Sequence, residues 1–288
     1  MVRRTDVTGP GGVRLATWEF GDGPKAVQGG DGGSRPCLLL LHGLMGRAST
    51  WAQTAEWLVP GFRTVALDQR GHGHSDKPDG PYSREAYIRD AETVIEQLGL
   101  GPAVVVGHSM GALTAWQLAA RRPDLVRGLV LSDMRASAYG ETSQREWWEW
   151  FASWPLPFDS LGQARRWFAE DDPALERPRP ARGDFFVELM HDGEDGYRPG
   201  FSFDHMLATR EPWVDEAHWE ELAHVTCPAL VVRALDGDLG RAEAQEMVRV
   251  LPHGRYAEIP DAGHLLHYEQ PTSWRQTVEP FLRTLVPA

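Results

Sequence analysis

Seven short apolar runs recur along this chain, and longer stretches of helical character separate most of them. The runs are VRLATWEF (13–20), CLLLLHG (37–43), FRTVALD (62–68), AVVVGHS (103–109), GLVLSDM (128–134), PALVVRALD (228–236) and GRYAEIPDA (254–262). Runs that are apolar on both faces are typical of buried strands in a parallel sheet. The helix-like stretches occupy 49–59, 83–99, 110–121, 241–250 and 272–285. Their alternation predicts an α/β fold with a mostly parallel, doubly wound sheet.

The alternation stops between residues 135 and 224, where we find no further strand-like run. This segment holds 16 of the 28 aromatic residues of the chain. We interpret it as a helical cap (135–224) inserted into a core formed by 1–134 and 225–288. Most of these aromatic side chains are expected to fill the interior of the cap, and a minority to face a substrate cleft, since pockets form preferentially between such layers. The candidates for substrate contact are Trp147, Trp150, Phe151, Trp154 and Met206.

The stretch GHSMG at 107–111 places a serine between glycines, after the apolar run AVVV and before a helix-like segment. A nucleophile between a strand and a helix requires a sharp turn, which flanking glycines permit. The positive end of the following helix would then point at Ser109 and favour developing negative charge there. Ser109 is therefore the candidate nucleophile.

The stretch HGLMG at 42–46 follows the run LLLL, and DQRGHGHSD at 68–76 follows the next run. With GHSMG, these motifs resemble those of the α/β-hydrolase superfamily, and the resemblance covers nearly all of the chain except the cap. It implies the α/β-hydrolase fold and an oxyanion hole formed by the backbone N–H groups of Leu44 and Met110. It also implies that His42 braces its loop, and that the turn at 68–76 has a structural role.

The stretch DAGH at 261–264 follows the last apolar run. A general base must reach the serine oxygen from a loop, and Gly263 gives that loop conformational freedom. The family resemblance implies a catalytic histidine in such a Gly-His pair. His264 is therefore the candidate base, and His267 is its nearest rival, which we expect at the wall of the site or in solvent.

The acid that orients the base has three candidates. The resemblance implies an acid just after the penultimate strand, but the family spacing falls on Gly237, where this sequence departs from the pattern. Asp238 and Asp236 flank that position, and Asp133 occupies a second location that the resemblance allows, at the end of the run GLVLSDM. Asp238 is the first choice, with Asp133 and Asp236 as open alternatives.

A serine nucleophile favours acyl transfer through a tetrahedral oxyanion and an acyl-enzyme, with a Ser-His-Asp triad. The resemblance implies that relatives which open epoxides or displace halide carry an aspartate at the position of Ser109. We therefore expect a hydrolase for an ester or lactone of a small, apolar or aromatic substrate. The alternatives are a C–C bond hydrolase or cofactor-free lyase on the same scaffold, and a small-molecule receptor without turnover.

The net charge and the composition of the chain limit the classes of binding partner that we expect. The chain carries 29 Lys and Arg against 41 Asp and Glu, a formal net charge of −12. Negative charge disfavours binding to nucleic acids and to anionic membranes, and we find neither a signal peptide nor an apolar run long enough to span a bilayer. We expect a cytoplasmic protein, a monomer or homodimer, that needs no metal and no organic cofactor. Cys37 and Cys227 read as reduced thiols.

Overall fold

The computed structural model describes residues 2–21 and 35–286 of the chain. Its strands are β1 (Val2–Thr8), β2 (Arg14–Phe20), β3 (Cys37–Leu41), β4 (Arg63–Leu67), β5 (Ala103–His108), β6 (Val126–Ser132), β7 (Met190–Gly193), β8 (Gly196–Pro199), β9 (Ala229–Asp236) and β10 (Gly254–Gly263). Eight of them form one sheet in the order β1-β2-β4-β3-β5-β6-β9-β10. The six strands from β4 to β10 in this order pair in parallel, whereas β1 and β2 form an antiparallel edge.

The predicted mostly parallel sheet is confirmed, and each of the seven apolar runs overlaps one strand of it. The strand β1 was not predicted, because its sequence VRRTDVT is polar and most of its side chains are exposed at the edge of the sheet. Such a strand has no apolar face whose period could be recognised in the sequence.

The helices are α1 (Ala52–Leu58), α2 (Arg84–Gln97), α3 (Met110–Arg121), α4 (Glu141–Ala152), α5 (Leu161–Arg166), α6 (Pro180–Glu188), α7 (Phe203–Asp215), α8 (Trp219–Ala223), α9 (Arg241–Val250), α10 (Leu266–Glu269) and α11 (Pro271–Arg283). Helices α1 and α11 cover one face of the sheet, with Trp51 and Trp274 fully buried there. Helices α2 and α3 cover the other face, and the apolar core on that side continues into the α4–α7 region. Within residues 2–21 and 35–286, no helix has both the length and the apolarity to cross a membrane.

The segment between β6 and β9 contains α4 to α8 and packs beside the carboxyl ends of the parallel strands. The sequence predicts a helical segment here, but β7 and β8 form an antiparallel hairpin within it. The hairpin sequence around HDGEDGYRP is polar and largely exposed, so it gave no strand signal. Helix α8, at the end of the segment, packs against α3 of the core. The exact partition into a core (1–134 and 225–288) and a cap (135–224) remains a prediction.

Candidate active site

Ser109 lies at the sharp turn between β5 and α3. Its backbone has φ 51° and ψ −121°, a conformation that costs a residue with a side chain of the order of 1–3 kcal/mol. The surrounding packing enforces this turn: a Cβ on Gly107 would lie 2.4 Å from the backbone of Gly111. The N–H of Ser109 donates to Ser132 O at the end of β6, at 2.8 Å. The fold therefore presents the Ser109 side chain above the strand ends, at the amino end of α3.

The two predicted oxyanion donors belong to the loop and the helix that adjoin Ser109. Residue 43 must be glycine to allow this approach, because a Cβ there would lie 3.1 Å from Ser109 Cβ and 2.7 Å from His108 Nδ1. The next residue, Leu44, lines the cavity above the serine, and Met110 is the first residue of α3. No described residue accepts a hydrogen bond from the N–H of Leu44 or of Met110. Both sequence-predicted oxyanion donors are thus unsatisfied by the protein itself.

His264 follows β10 on a loop that other residues hold in place. The N–H of Gly263 donates to Glu269 Oε2 at 3.1 Å, and the Nε2 of His108 lies 2.7 Å from His264 O. The His264 ring lies 4.7 Å from the buried ring of His108. Ser109 and His264 line the same cavity, so the structure brings the predicted nucleophile and the predicted base together.

The buried carboxylate of Asp133 contacts the imidazole of His264. The Nδ1 atom of His264 lies 2.9 Å from Asp133 Oδ2 and 3.5 Å from Asp238 Oδ2. The Asp133 side chain has no solvent exposure, whereas that of Asp238 is 51% exposed. Asp236 instead pairs with Arg177 and Arg179. The geometry therefore favours Asp133 over Asp238, which the sequence ranked first, and over Asp236.

Gly237 explains why the family spacing falls on a residue without a side chain. A Cβ on Gly237 would lie 2.3 Å from Asp133 Oδ2, so the Asp133 carboxylate occupies the space that a side chain at position 237 would need. The backbone around it also binds this carboxylate, because the N–H groups of Asp238 and Ala234 donate to it at 2.9 and 3.2 Å. The glycine at 237 marks the family position as empty, but only the assembled sheet shows that Asp133 fills it.

The charge state of His264 depends on both neighbouring carboxylates. Burial lowers the pKa of His264, but the charges of Asp238 and Asp133 and the hydrogen bond to Asp133 outweigh it and raise the pKa to about 9. The other histidines nearby behave in the opposite way. Burial lowers the pKa of His108, and burial together with the charge of His264 lowers the pKa of His267 to about 3. His264 is therefore the histidine of this group that binds a proton near neutral pH.

Further buried residues fix the loops around the site. His42 Nδ1 lies 2.7 Å from Gly43 O, and its Nε2 accepts from the N–H of Gln69 at 3.0 Å, so it connects the loop of Leu44 to the turn at 68–76. Asp68 in that turn accepts from Ala48 N and Trp18 Nε1. The prediction that His267 lies at the wall of the site or in solvent is wrong. His267 is buried, with its ring stacked 4.2 Å from that of Trp51.

The cavity above these residues has a volume of about 390 Å³. The apolar part of its wall consists of Leu44, Met45, Trp147, Trp150, Ala174, Leu175, Phe185, Phe186, Trp213 and Leu265. Trp147 and Trp150 were predicted to contact substrate. The other three candidates, Phe151, Trp154 and Met206, do not line the cavity but are buried in the aromatic interior of the inserted segment, where Phe151 stacks 4.4 Å from Phe203. The spacing of these residues along the sequence does not show which side chains line the cavity and which fill the interior of the inserted segment.

The cavity also contains residues that the sequence reasoning missed. Tyr139, Arg182, Arg210 and Trp213 come from the inserted segment and line the cavity. A signal for Arg210 was present: Met206, Arg210 and Trp213 are spaced as one face of a helix, and an arginine on an otherwise apolar face is unusual.

Comparisons with known proteins give one consistent assignment. A family model described as the alpha/beta hydrolase fold matches residues 36–182. The chain is 29% identical over 262 residues to the 2-(acetamidomethylene)succinate hydrolase of Mesorhizobium japonicum (87% of this chain, 89% of the relative). It is 30% identical over 259 residues to the sn-1-specific diacylglycerol lipase ABHD11 of Mus musculus (86% and 81%). The crystal structure of E-2-(acetamidomethylene)succinate hydrolase gives a TM-score of 0.81 at 26% identity, covering 98% of this chain and 100% of that one. The likeness therefore includes the inserted segment as well as the sheet.

Proposed function

This chain belongs to the α/β-hydrolase family, and on that premise we propose that it is a serine hydrolase that cleaves a carboxylic ester or lactone. Ser109 is the nucleophile, His264 the general base and Asp133 the acid that orients it. The observation that carries the proposal is the shared cavity of Ser109 and His264, in which Asp133 contacts the far nitrogen of the imidazole.

The reaction follows from the positions of these groups. Ser109 Oγ attacks the carbonyl carbon while its proton moves to Nε2 of His264, and the carbonyl oxygen becomes an anion that the N–H groups of Leu44 and Met110 stabilise. The C–O bond to the alcohol then breaks, and His264 gives the proton to the leaving oxygen. Water repeats the sequence on the acyl-enzyme and releases the acid, so one ester and one water become one acid and one alcohol. Asp133 keeps the imidazole in the required tautomer throughout.

The substrate class rests on the wall of the cavity. A space of about 390 Å³ with aromatic and aliphatic residues on one side suits a small molecule with an apolar or aromatic part. One relative is named as a diacylglycerol lipase and another as a 2-(acetamidomethylene)succinate hydrolase. We propose an ester or lactone for this chain. The proposed nucleophile attacks a carbonyl carbon, the oxyanion donors stabilise the resulting anion, and an alkoxide is a good enough leaving group to complete the reaction.

Covalent labelling tests this function. A fluorophosphonate probe should label the wild-type protein and the control Ser153→Ala, whose serine lies exposed on the inserted segment, but not Ser109→Ala. Hydrolysis of p-nitrophenyl esters should disappear with the label, apart from a residual rate that the binding site and oxyanion donors supply.

Three results contradict the proposal. Turnover that survives Ser109→Ala would favour a cofactor-free lyase in which His264 acts alone. Labelling of Ser109 without turnover of any ester or lactone would favour a receptor. If the probe fails to label the wild-type protein, the protein has no activated serine and the proposal is wrong.

A further inference from the structure

Arg210, on α7, is a buried cation in the wall of the active-site cavity. The residue is 2% exposed and lines the cavity together with Ser109 and His264. The two other arginines of the wall are neutralised by carboxylates: Arg179 pairs with Glu269 at 2.7 Å, and Arg182 pairs with Asp172 at 2.5 Å. In the described part of the chain, Arg210 has no ion-pair partner and donates only to the neutral side chains of two residues.

These two residues and a set of aromatic rings fix the guanidinium. Nη2 donates to Ser143 Oγ at 2.6 Å and Nε donates to Gln144 Oε1 at 3.4 Å. The guanidinium carbon lies 4.3 Å from the centre of the Trp147 ring and 5.5 Å from that of Tyr139. A guanidinium has five N–H groups. Nε and one N–H of Nη2 are used here, so three N–H groups remain. One N–H of Nη1 and one of Nη2 can together form a fork at the end of the guanidinium.

The charge on this fork persists at neutral pH. Burial lowers the pKa of Arg210 to about 10, and the negative charges of Asp238 and Glu146 partly oppose this shift. Neither Asp238 nor Glu146 lies close enough to form an ion pair with it. A buried charge without a counterion is costly unless hydrogen bonds or an opposite charge compensate it. The hydrogen bonds to Ser143 and Gln144 compensate part of this cost, and the positive charge remains available to an anion in the cavity.

We propose that Arg210 binds a carboxylate of the substrate, so that the ester or lactone cleaved at Ser109 also carries a free carboxylate. This inference rests on the proposed function and specifies the substrate class of the same site. The planar fork matches a carboxylate with two parallel N–H···O bonds. A single negative charge also suits a wall that contains Asp238 and Glu146, which would repel a dianionic phosphate more strongly.

A pair of ester substrates of equal acyl length tests the proposal. Mono-p-nitrophenyl succinate carries the free carboxylate, and p-nitrophenyl butyrate does not. We expect wild-type kcat/KM to be at least about tenfold higher for the succinate ester. In Arg210→Met this preference should be lost, chiefly because KM for the succinate ester rises about tenfold relative to that for the butyrate ester. Arg166→Met, an exposed arginine of α5, should keep the wild-type preference.

A second measurement avoids dependence on the variant, since removing Arg210 also removes contacts between α4 and α7. Succinamate, which carries one carboxylate, should protect wild-type Ser109 from fluorophosphonate labelling at least about tenfold better than succinamide, its neutral analogue. Equal protection, or a wild-type preference for the butyrate ester, overturns the carboxylate site even where labelling shows an active serine. Absence of labelling overturns the proposed function as well, so the two failures are distinguishable.

Discussion

At the scale of single residues, two carboxylates of different burial share one imidazole. Asp133 is enclosed and accepts three hydrogen bonds, one of them from His264, whereas Asp238 is half exposed and adds charge at 3.5 Å. An enclosed acceptor fixes the orientation of the ring, while an exposed charge chiefly changes its proton affinity. The two aspartates should therefore affect different kinetic quantities.

Replacement of the acid is the first prediction at this scale. Asp133→Asn should lower kcat on a p-nitrophenyl ester by roughly 10³–10⁴-fold, because an amide at this position favours the wrong imidazole tautomer. Asp238→Asn serves as the matched control and should retain kcat at high pH within about tenfold. A larger loss in Asp238→Asn than in Asp133→Asn would restore the assignment that the sequence ranked first.

The second prediction concerns pH. Only neutral His264 accepts a proton from Ser109, so kcat/KM should rise with pH until it levels off above the raised pKa of about 9. Asp238→Asn removes a negative charge beside the imidazolium and should move this rise to lower pH. The control Glu56→Gln, exposed on α1, should leave the profile in place. A wild-type profile that is already flat at pH 7 would contradict the influence of the two aspartates on His264.

At the scale of elements, the strands could be predicted from sequence because a buried strand must be apolar on both faces. The runs at 37–43 and 103–109 are of this kind, and their ends located Ser109 correctly beside the sheet. The choice between Asp133 and Asp238 could not be made in this way. It depends on the order β6-β9-β10 and on the space left at Gly237, which are properties of the assembled sheet.

The contact between α3 and β3 gives a prediction for this scale. A Cβ on Gly111 would lie 2.1 Å from the backbone oxygen of Leu41, so Gly111→Ala should force the helix away from the sheet. We expect a loss of about 1–3 kcal/mol in the free energy of unfolding, together with reduced activity as Met110 shifts. Thermal unfolding measures the first and ester hydrolysis the second.

Gly162→Ala in α5 is the control for that experiment. Its Cβ would meet its nearest neighbour, Ser160 Oγ, at 3.7 Å, which is ordinary contact, and its φ is not positive. Alanine should therefore be neutral there or slightly stabilising. Equal destabilisation by the two substitutions would mean that close packing of α3 is not the reason for glycine at 111.

At the scale of the whole molecule, polar contacts join the inserted segment to the sheet around the cavity. Arg179 pairs with Glu269 near His264 and with Asp236 at the end of β9. On another side of the cavity, Glu188 accepts hydrogen bonds from Ser49 and Tyr268. The side chains of Arg179 and Glu269 are 16% and 8% exposed, so solvent screens this pair less than a surface pair.

The prediction at the molecular scale concerns the ion pair between Arg179 and Glu269. Arg179→Gln should lower the free energy of unfolding by about 1–3 kcal/mol and increase proteolysis within the inserted segment, because Glu269 loses its partner. Arg198→Gln, which breaks an exposed pair in the β7–β8 hairpin, should change neither by much. Equal protease resistance in wild type and Arg179→Gln would show that apolar packing alone holds the segment in place.

The position of Asp133 has a consequence for how such a sequence can diverge. Ser109 and Asp133, the proposed nucleophile and acid, follow adjacent strands that a backbone hydrogen bond from Ser109 to Ser132 joins, so two members of the proposed triad belong to one rigid unit. The connection between β9 and α9, residues 237–240, therefore does not have to supply the acid. Evolution or design can therefore change this connection without losing the orienting carboxylate, provided that position 237 stays glycine. A change at Asp238 would alter the proton affinity of His264 and not its orientation.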